Sequence, residues 1–127
     1  MKLTTLQELK WIHDADLLSV QYEMSGDADW PIRITMRCPE DLGYEPWQGK
    51  LLVLAAIDLV GSKHIVYCVA GPESIDHINP GVSLVFRESA MKGKPIGAHF
   101  NFEFTITLIS GSTLEIICQE LQAEVRP

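Results

Sequence analysis

Apolar and polar residues alternate over several short runs of the chain, and this period of two is typical of strands with one buried face. The clearest run covers residues 100–108, where every second residue is aromatic or aliphatic. A Ser-Gly-Ser turn follows at residues 110–112, and the alternation resumes over residues 114–118. The pattern predicts a hairpin, with a bulge or a short break near Gln119 or Glu120, where the apolar phase shifts.

Two earlier runs show the same alternation and are separated by a Ser-Gly-Asp turn at residues 25–27. The first run is expected to place four residues on one buried face: Leu18, Val20, Tyr22 and Met24. The second run, over residues 32–38, alternates in the same way and predicts a strand with one wet face. We expect these two strands to pair as a long hairpin.

The middle of the chain predicts further strands with weaker patterns. Residues 51–60 are almost continuously apolar and end at Gly61, which predicts a short buried central strand. A β-branched run over 64–69 predicts another strand, residues 74–81 are expected to be irregular, and alternation over 82–86 predicts one more strand.

The chain begins with the signature of a short helix. Residues 5–8 read Thr-Leu-Gln-Glu, a capping box that satisfies the first free amides of a helix, and the helix is expected to end near His13. Together these elements predict one domain over residues 1–127. It is mainly β, an antiparallel β-sandwich or partly open barrel of about seven strands with one short N-terminal helix.

Composition and charge narrow the class of partner. The 127 residues are 46% hydrophobic and carry a net charge of −7, which is ordinary globular composition. A negative protein is a poor match for a nucleic-acid backbone or an anionic membrane, so neither is expected as a partner. No signal peptide or spanning run is visible, and three unpaired cysteines favour a reducing compartment, so we expect the cytoplasm.

One polar cluster suggests metal or acid–base chemistry. Asp14 and Asp16 would share a face of the first strand beside His13, and with His77 they could hold a divalent ion. In the simpler interpretation Asp14 ends the helix or begins a strand, and Asp16 bonds to local amides at the end of the sheet. No zinc-finger spacing, phosphate-binding loop or nucleophile elbow is found, so no cofactor is predicted and an enzyme is the less favoured class.

A second set of residues suggests a contact surface for a protein partner. The connector over residues 39–50 is long for a compact domain, and such loops are often functional. Aromatic residues on loops are typical interface anchors, although they can also cover the open ends of a small β core. The candidate partner-binding residues are three aromatic and three acidic ones: Trp30, Tyr44, Trp47, Glu40, Asp41 and Glu45.

Two further segments carry a resemblance. The N-terminal helix leads into His-Asp-Ala-Asp-Leu at residues 13–17, and the chain closes with Phe-Thr-Ile-Thr-Leu at 104–108 and Leu-Glu-Ile-Ile-Cys at 114–118. This order resembles a loose group of small bacterial β proteins of unknown function, some of which look like immunity proteins that neutralise a partner toxin. The resemblance implies a protein-binding role and assigns no individual residue.

Three hypotheses about function follow. The first is a non-catalytic protein-binding domain, with toxin neutralisation as its most specific form. The second is a small-ligand or metal-binding β domain with hydrolase or isomerase activity, built on the aspartates and histidines. The third is a self-associating structural subunit, in which an exposed strand edge pairs across the axis of a homodimer.

Overall fold

The computed structural model describes residues 2–4, 9, 14–22, 32–40, 48–65, 73–93 and 100–126, with the backbone alone at Tyr22, Asp58, Leu59 and Ile65. These residues contain seven strands and one α-helix. In chain order they are β1 (Lys2–Leu3), β2 (Asp16–Tyr22), β3 (Ile32–Arg37), β4 (Leu51–Ile65), β5 (Glu73–Pro80), α1 (Leu84–Met91), β6 (Phe102–Leu108) and β7 (Thr113–Arg126).

The strands form one antiparallel sheet that closes on itself. Their order is β1-β7-β4-β3-β2-β5-β6, and β6 pairs back with β7, so that six strands form a closed barrel and β1 adds to it beside β7. The mainly β class predicted from the sequence is confirmed. The architecture is a closed barrel rather than a sandwich or a partly open barrel, because the long β7 pairs with both β4 and β6.

The barrel interior is filled by side chains. Phe104, Ile106 and Leu54 are fully buried there, as expected for a small barrel whose inward positions interdigitate. One cluster of buried residues runs through the barrel: Leu3, Leu9, Ala15, Ile32, Ile34, Met36, Cys38, Leu52, Leu54, Ala56, Ile75, Phe102, Phe104, Ile106, Leu108, Leu114, Ile116, Cys118, Leu121 and Ala123.

Both predicted hairpins are present. β2 pairs with β3, and β6 pairs with β7 from Phe102 opposite Cys118 to Thr107 opposite Thr113. In the turn between β6 and β7, the amide of Gly111 donates to the carbonyl of Leu108 at 2.9 Å, with Gly111 at a φ of 91° that suits glycine.

The predicted change of apolar phase in β7 is also present. Cys118 and Leu121 both belong to the core although they are three residues apart. β7 itself continues without a break, and the irregular register lies in the partner strand, between Leu59 and Gly61 of β4.

The predicted face of β2 is wrong at Leu18. The register between β2 and β3 shifts between Leu17 and Ser19. This bulge puts Leu17 and Val20 against the core and leaves Leu18 41% exposed. A strict period of two therefore fails in this strand.

Gly61 does not end a strand as predicted. β4 passes through it and continues to Ile65. A Cβ atom at Gly61 would lie 3.3 Å from the Cβ of Ala90 and 3.4 Å from Cζ of Phe86, so glycine here allows α1 to approach the barrel. The segment expected to be irregular is β5, whose alternation is interrupted by a register shift between Ile75 and His77.

The strand predicted over residues 82–86 is wrong, because α1 begins there. Ser83 caps the helix, and its hydroxyl accepts from the amide of Phe86 at 3.4 Å. The buried carboxylate of Glu115 on β7 accepts from the Ser83 amide at 2.6 Å and from its hydroxyl at 3.2 Å. The predicted N-terminal helix lies outside the described residues, except for the buried Leu9.

We expect Phe104→Ala to lower the free energy of unfolding by about 3–5 kcal/mol, because it leaves a cavity in a fully buried position. Leu84→Ala is the matched control, since Leu84 is 70% exposed and should change that free energy by less than about 0.5 kcal/mol. Urea titration followed by circular dichroism measures both. Equal losses for the two variants would contradict the packing described for the barrel.

Candidate partner-binding surface

Hydrogen bonds join the two ends of the connector between β3 and β4 where it leaves the barrel. We call these ends, residues 38–40 and 48–50, the neck. The amide of Cys38 donates to the carbonyl of Lys50 at 3.0 Å, and the amide of Gly49 donates to the carbonyl of Pro39 at 2.9 Å. One residue further out, the side-chain amide of Gln48 donates to the carbonyl of Glu40. These three bonds hold both ends of the connector at one point of the barrel.

Glycine at position 49 is required by this neck. Gly49 has a φ of +67°, in the left-handed region that other residues rarely adopt. A Cβ atom there would also lie 3.2 Å from Cγ of Glu40. Glu40, one of the predicted contact residues, is exposed at the neck.

The other five predicted contact residues lie outside the described part of the chain: Trp30, Asp41, Tyr44, Glu45 and Trp47. The described strands nevertheless show where their segments leave the barrel. The segment with Trp30 joins β3 at Ile32, and the connector follows the opposite end of β3 at Arg37. The six residues of β3 separate these ends by about 17 Å, so a partner that touches both segments spans the length of this strand.

The outer face of β4 is apolar along the same length. Leu51, Val53, Ala55 and Ile57 alternate with the inward residues of this strand, and Val53 is only 4% exposed. A depression of about 240 Å³ opens at the middle of this face. It is lined by residues of β3, β4 and β7: Arg33, Val53, Ala55, Gln122, Ala123 and Glu124.

Charged side chains line the β7 side of this face. Arg126 donates to Glu124 at 3.0 Å, and Lys2 on β1 lies 3.1 Å from Glu120. The bond from Arg126, its charge and the weaker charge of Arg33 hold the pKa of Glu124 below its usual value. A hydrogen bond from Gln122, together with Lys2, lowers the pKa of Glu120 in the same way. Both carboxylates therefore stay ionised at neutral pH.

The predicted metal ligands that are described each have other partners. Ser74 donates to Asp16 at 3.1 Å, and Nδ1 of His77 lies 2.7 Å from the carboxylate of Asp76. Asp14 is exposed at a φ of 67°, where its amide donates to the carbonyl of Ile75. His13 lies outside the described residues. Among the residues that the structure describes, no three His, Cys, Asp or Glu side chains are placed to hold a metal ion.

Two of the three cysteines are described, and both are buried free thiols, Cys38 and Cys118. Burial raises the pKa of the Cys38 thiol, which keeps the unreactive protonated form. Cys68 lies outside the described residues.

Sequence reasoning did not identify the outer face of β4 or the buried Glu115 as features of interest. The continuous apolar run over residues 51–57 could have indicated that the outer face of β4 is apolar, since a barrel strand needs apolar residues only on its inward face. Glu115 gave no signal, because it occupies a polar position of an alternating strand, and its partner Ser83 is 32 residues away.

No protein-family model, curated protein or solved structure matches this chain. No helix in the described ranges has the length and apolar character needed to cross a membrane. The assignment of function therefore depends on the surface geometry alone.

We expect protein purified without chelator or nickel resin to contain less than about 0.1 equivalent of zinc, manganese or nickel, because Asp16 is bonded to Ser74 and His77 to Asp76. Elemental analysis by mass spectrometry measures the content. Stoichiometric metal that disappears in an Asp16→Asn or His77→Ala variant would instead establish the metal-binding hypothesis.

Proposed function

We propose that this protein is a non-catalytic protein-binding domain whose contact surface includes the connector between β3 and β4. The most specific form of this proposal is that the protein binds and neutralises a toxin. The observation that supports this proposal is the set of three hydrogen bonds across the neck, between residues 38–40 and 48–50. Binding segments in proteins are commonly loops held by a rigid scaffold. The neck supplies such an attachment, because the barrel bonds both ends of the connector.

The filled interior of the barrel favours a role at the surface. Small barrels that bind ligands inside keep an open mouth or cavity, whereas the inward positions here are occupied by buried aromatic and aliphatic side chains. A contact surface on the outside does not disturb this core. Aromatic residues of the connector, Tyr44 and Trp47, are of the types that dominate binding energy at interfaces.

The negative charge of the connector and of the whole protein favours a partner with a basic surface. Glu40 is exposed at the neck, and Asp41 and Glu45 follow within the connector. A protein with a net charge of −7 attracts a basic partner over distances of about one Debye length, roughly 8 Å at physiological ionic strength. Such steering raises the association rate more than it raises the affinity.

Replacement of residues 41–47 by Asn-Gly tests the role of the connector directly. The neck places Glu40 and Gln48 beside each other, so a two-residue turn can join them. We expect the barrel to stay folded, with a free energy of unfolding within about 1 kcal/mol of the wild type, since loop length contributes little. A partner captured by the wild type from lysate of the source organism should be absent with this variant.

Two outcomes of this experiment would overturn the proposal. Capture of the same partner by the shortened variant would exclude the connector as contact surface. A captured partner that does not arrest growth when it is expressed alone would exclude toxin neutralisation, whereas growth arrest relieved by coexpression would establish it.

Trp47→Ala is expected to weaken partner binding by at least about tenfold, since buried interface tryptophans often contribute 2 kcal/mol or more. The melting temperature should stay nearly unchanged. Ile109→Ala is the matched control, because Ile109 is 68% exposed in the turn between β6 and β7, at the opposite end of β4 from the connector. Calorimetry with the purified partner measures the affinities. A large loss of thermal stability in Trp47→Ala would place this side chain in the core instead.

A further inference from the structure

Helix α1 lies across the outer surface of three barrel strands. Its Arg87 side chain donates to the carboxylate of Glu103 on β6 at 2.8 Å. Its Phe86 and Ala90 side chains lie over Gly61 on β4, where a Cβ atom would come within 3.4 Å and 3.3 Å of them. β7 runs between these two strands, because it pairs with both. α1 therefore bridges β4, β7 and β6 on the outside of the barrel.

The buried side chain of Ile117 on β7 shows which part of the sheet α1 covers. Ile117 alternates with the core residues Ile116 and Cys118, so its side chain points outward, yet it is completely buried. The register places it between Gly61 on β4 and Glu103 on β6, and α1 contacts both of these residues. The helix and this part of the sheet thus enclose a small apolar cluster that is separate from the core inside the barrel.

Few side chains attach α1 to the barrel. Phe86 is the only buried residue of this helix, and Leu84 and Val85 in its first turn are 70% and 74% exposed. The side chains of the Arg87–Glu103 ion pair are 43% and 26% exposed, and pairs that are open to solvent contribute little to stability. A helix of eight residues is too short to persist alone in water, so α1 keeps its helical form only while it is docked.

The N-terminus of α1 depends on a carboxylate from the barrel. Ser83 caps the helix, and in a capping box the amide of the capping residue bonds to a Glu or Gln three residues later. Phe86 occupies that position, and the first turn of α1 contains no acidic residue. Glu115 on β7, which is only 6% exposed, accepts from the Ser83 amide at 2.6 Å and from its hydroxyl at 3.2 Å. The barrel thus supplies the acceptor and the favourable negative charge that the helix lacks.

Glycines with positive φ border the helix on both sides. Gly81 has a φ of 90° and Gly93 a φ of 78°, and beyond the adjacent residues no atom lies within 4 Å of a Cβ placed at either position. Glycine adopts many backbone conformations at little cost, so the chain can turn at both points without a clash. The first of these hinges is fixed to β6, because the Gly81 amide donates to the carbonyl of Glu103 at 2.7 Å and its carbonyl accepts from the Thr105 hydroxyl at 2.8 Å.

We propose that α1 is a hinged strap that detaches from the barrel while the barrel remains folded, and that Glu115 is the latch that holds it closed. Detachment breaks the contacts of Phe86 and the bonds of Ser83 and Arg87, but it leaves the strand pairings of the barrel in place. Such local opening requires less free energy than global unfolding. It uncovers Ile117, an apolar side chain that lies beside two carboxylates of the barrel.

Amide hydrogen exchange of the native protein, followed by NMR under conditions where exchange reports the opening equilibrium, tests the strap. The amides of residues 87–91 bond within α1, beginning with the bond from Arg87 to the carbonyl of Ser83. We expect their protection factors to be at least about a hundredfold lower than those of the slowest amides of β4 and β7, because the centre of the barrel exchanges only by global unfolding.

A variant of the barrel core separates local from global opening. Ile34 is fully buried on β3, which is not one of the strands under α1. Ile34→Val should lower the protection of the slowest barrel amides by about two- to tenfold, because it removes a buried methyl group. The protection of residues 87–91 should stay unchanged, since the core is intact in both the closed and the open state of the strap.

Glu115→Gln tests the latch. It keeps the size of the side chain but removes the charge to which Ser83 donates, so we expect the protection of residues 87–91 to fall by at least about tenfold. Glu88→Gln is the matched control, since it removes the same charge from an exposed residue of α1, and it should change this protection by less than about twofold. Ser83→Ala alters only an exposed residue and should lower the protection by about fivefold, so it decides the question if Glu115→Gln does not fold.

Three outcomes would overturn the proposal: helix amides as protected as the slowest barrel amides, helix and barrel amides that lose protection equally in Ile34→Val, or helix protection that is unchanged in Glu115→Gln. Circular dichroism of each variant verifies that the barrel is folded. The strap shares no residue with the connector between β3 and β4, so this proposal can fail while the proposed binding function stands.

Discussion

The antiparallel pairing of β4 with β7 is the interaction on which the barrel depends. It extends from Leu51 opposite Arg126 to Ile65 opposite Thr113, the longest pairing among the described strands. Because both strands are so long, β7 has room for further neighbours on its other side, β6 along its first half and β1 along its second. The sheet can close into a barrel only because β7 pairs with β4 on one side and with β6 on the other. The register shift near Gly61 bends β4 where the sheet must curve.

Local patterns predicted the hairpins but not the elements that depend on distant contacts. The runs over 32–38 and 100–108 alternate cleanly, and each belongs to a strand that pairs with its neighbour in the sequence. Residues 82–86 alternate as well, yet they begin a helix, since Ser83 is held by a carboxylate from β7 and Phe86 packs against Gly61. That contact joins segments far apart in sequence, so a local period of two could not reveal it.

Bulges explain most of the remaining differences between the predicted strands and those of the structure. At Leu17–Ser19 and at Ile75–His77 one strand contains an extra residue, which reverses the face of every residue after it. Leu18 was therefore expected inside the barrel, and β5 was not expected to be a strand. For the candidate site, residue type suggested the connector, and only the pairing of Pro39 with Gly49 showed how it is held. Residue type also selected His77, whose partner in the structure is its chain neighbour Asp76.

Net charge and apolar contact act over different ranges at the proposed partner surface. The charge of −7 attracts a basic partner, and salt near physiological strength limits that attraction to roughly 8 Å. A rise in salt therefore slows the approach of a basic partner, whereas apolar contact, which acts only at short range, persists. Salt is thus expected to change the association rate more than the dissociation rate.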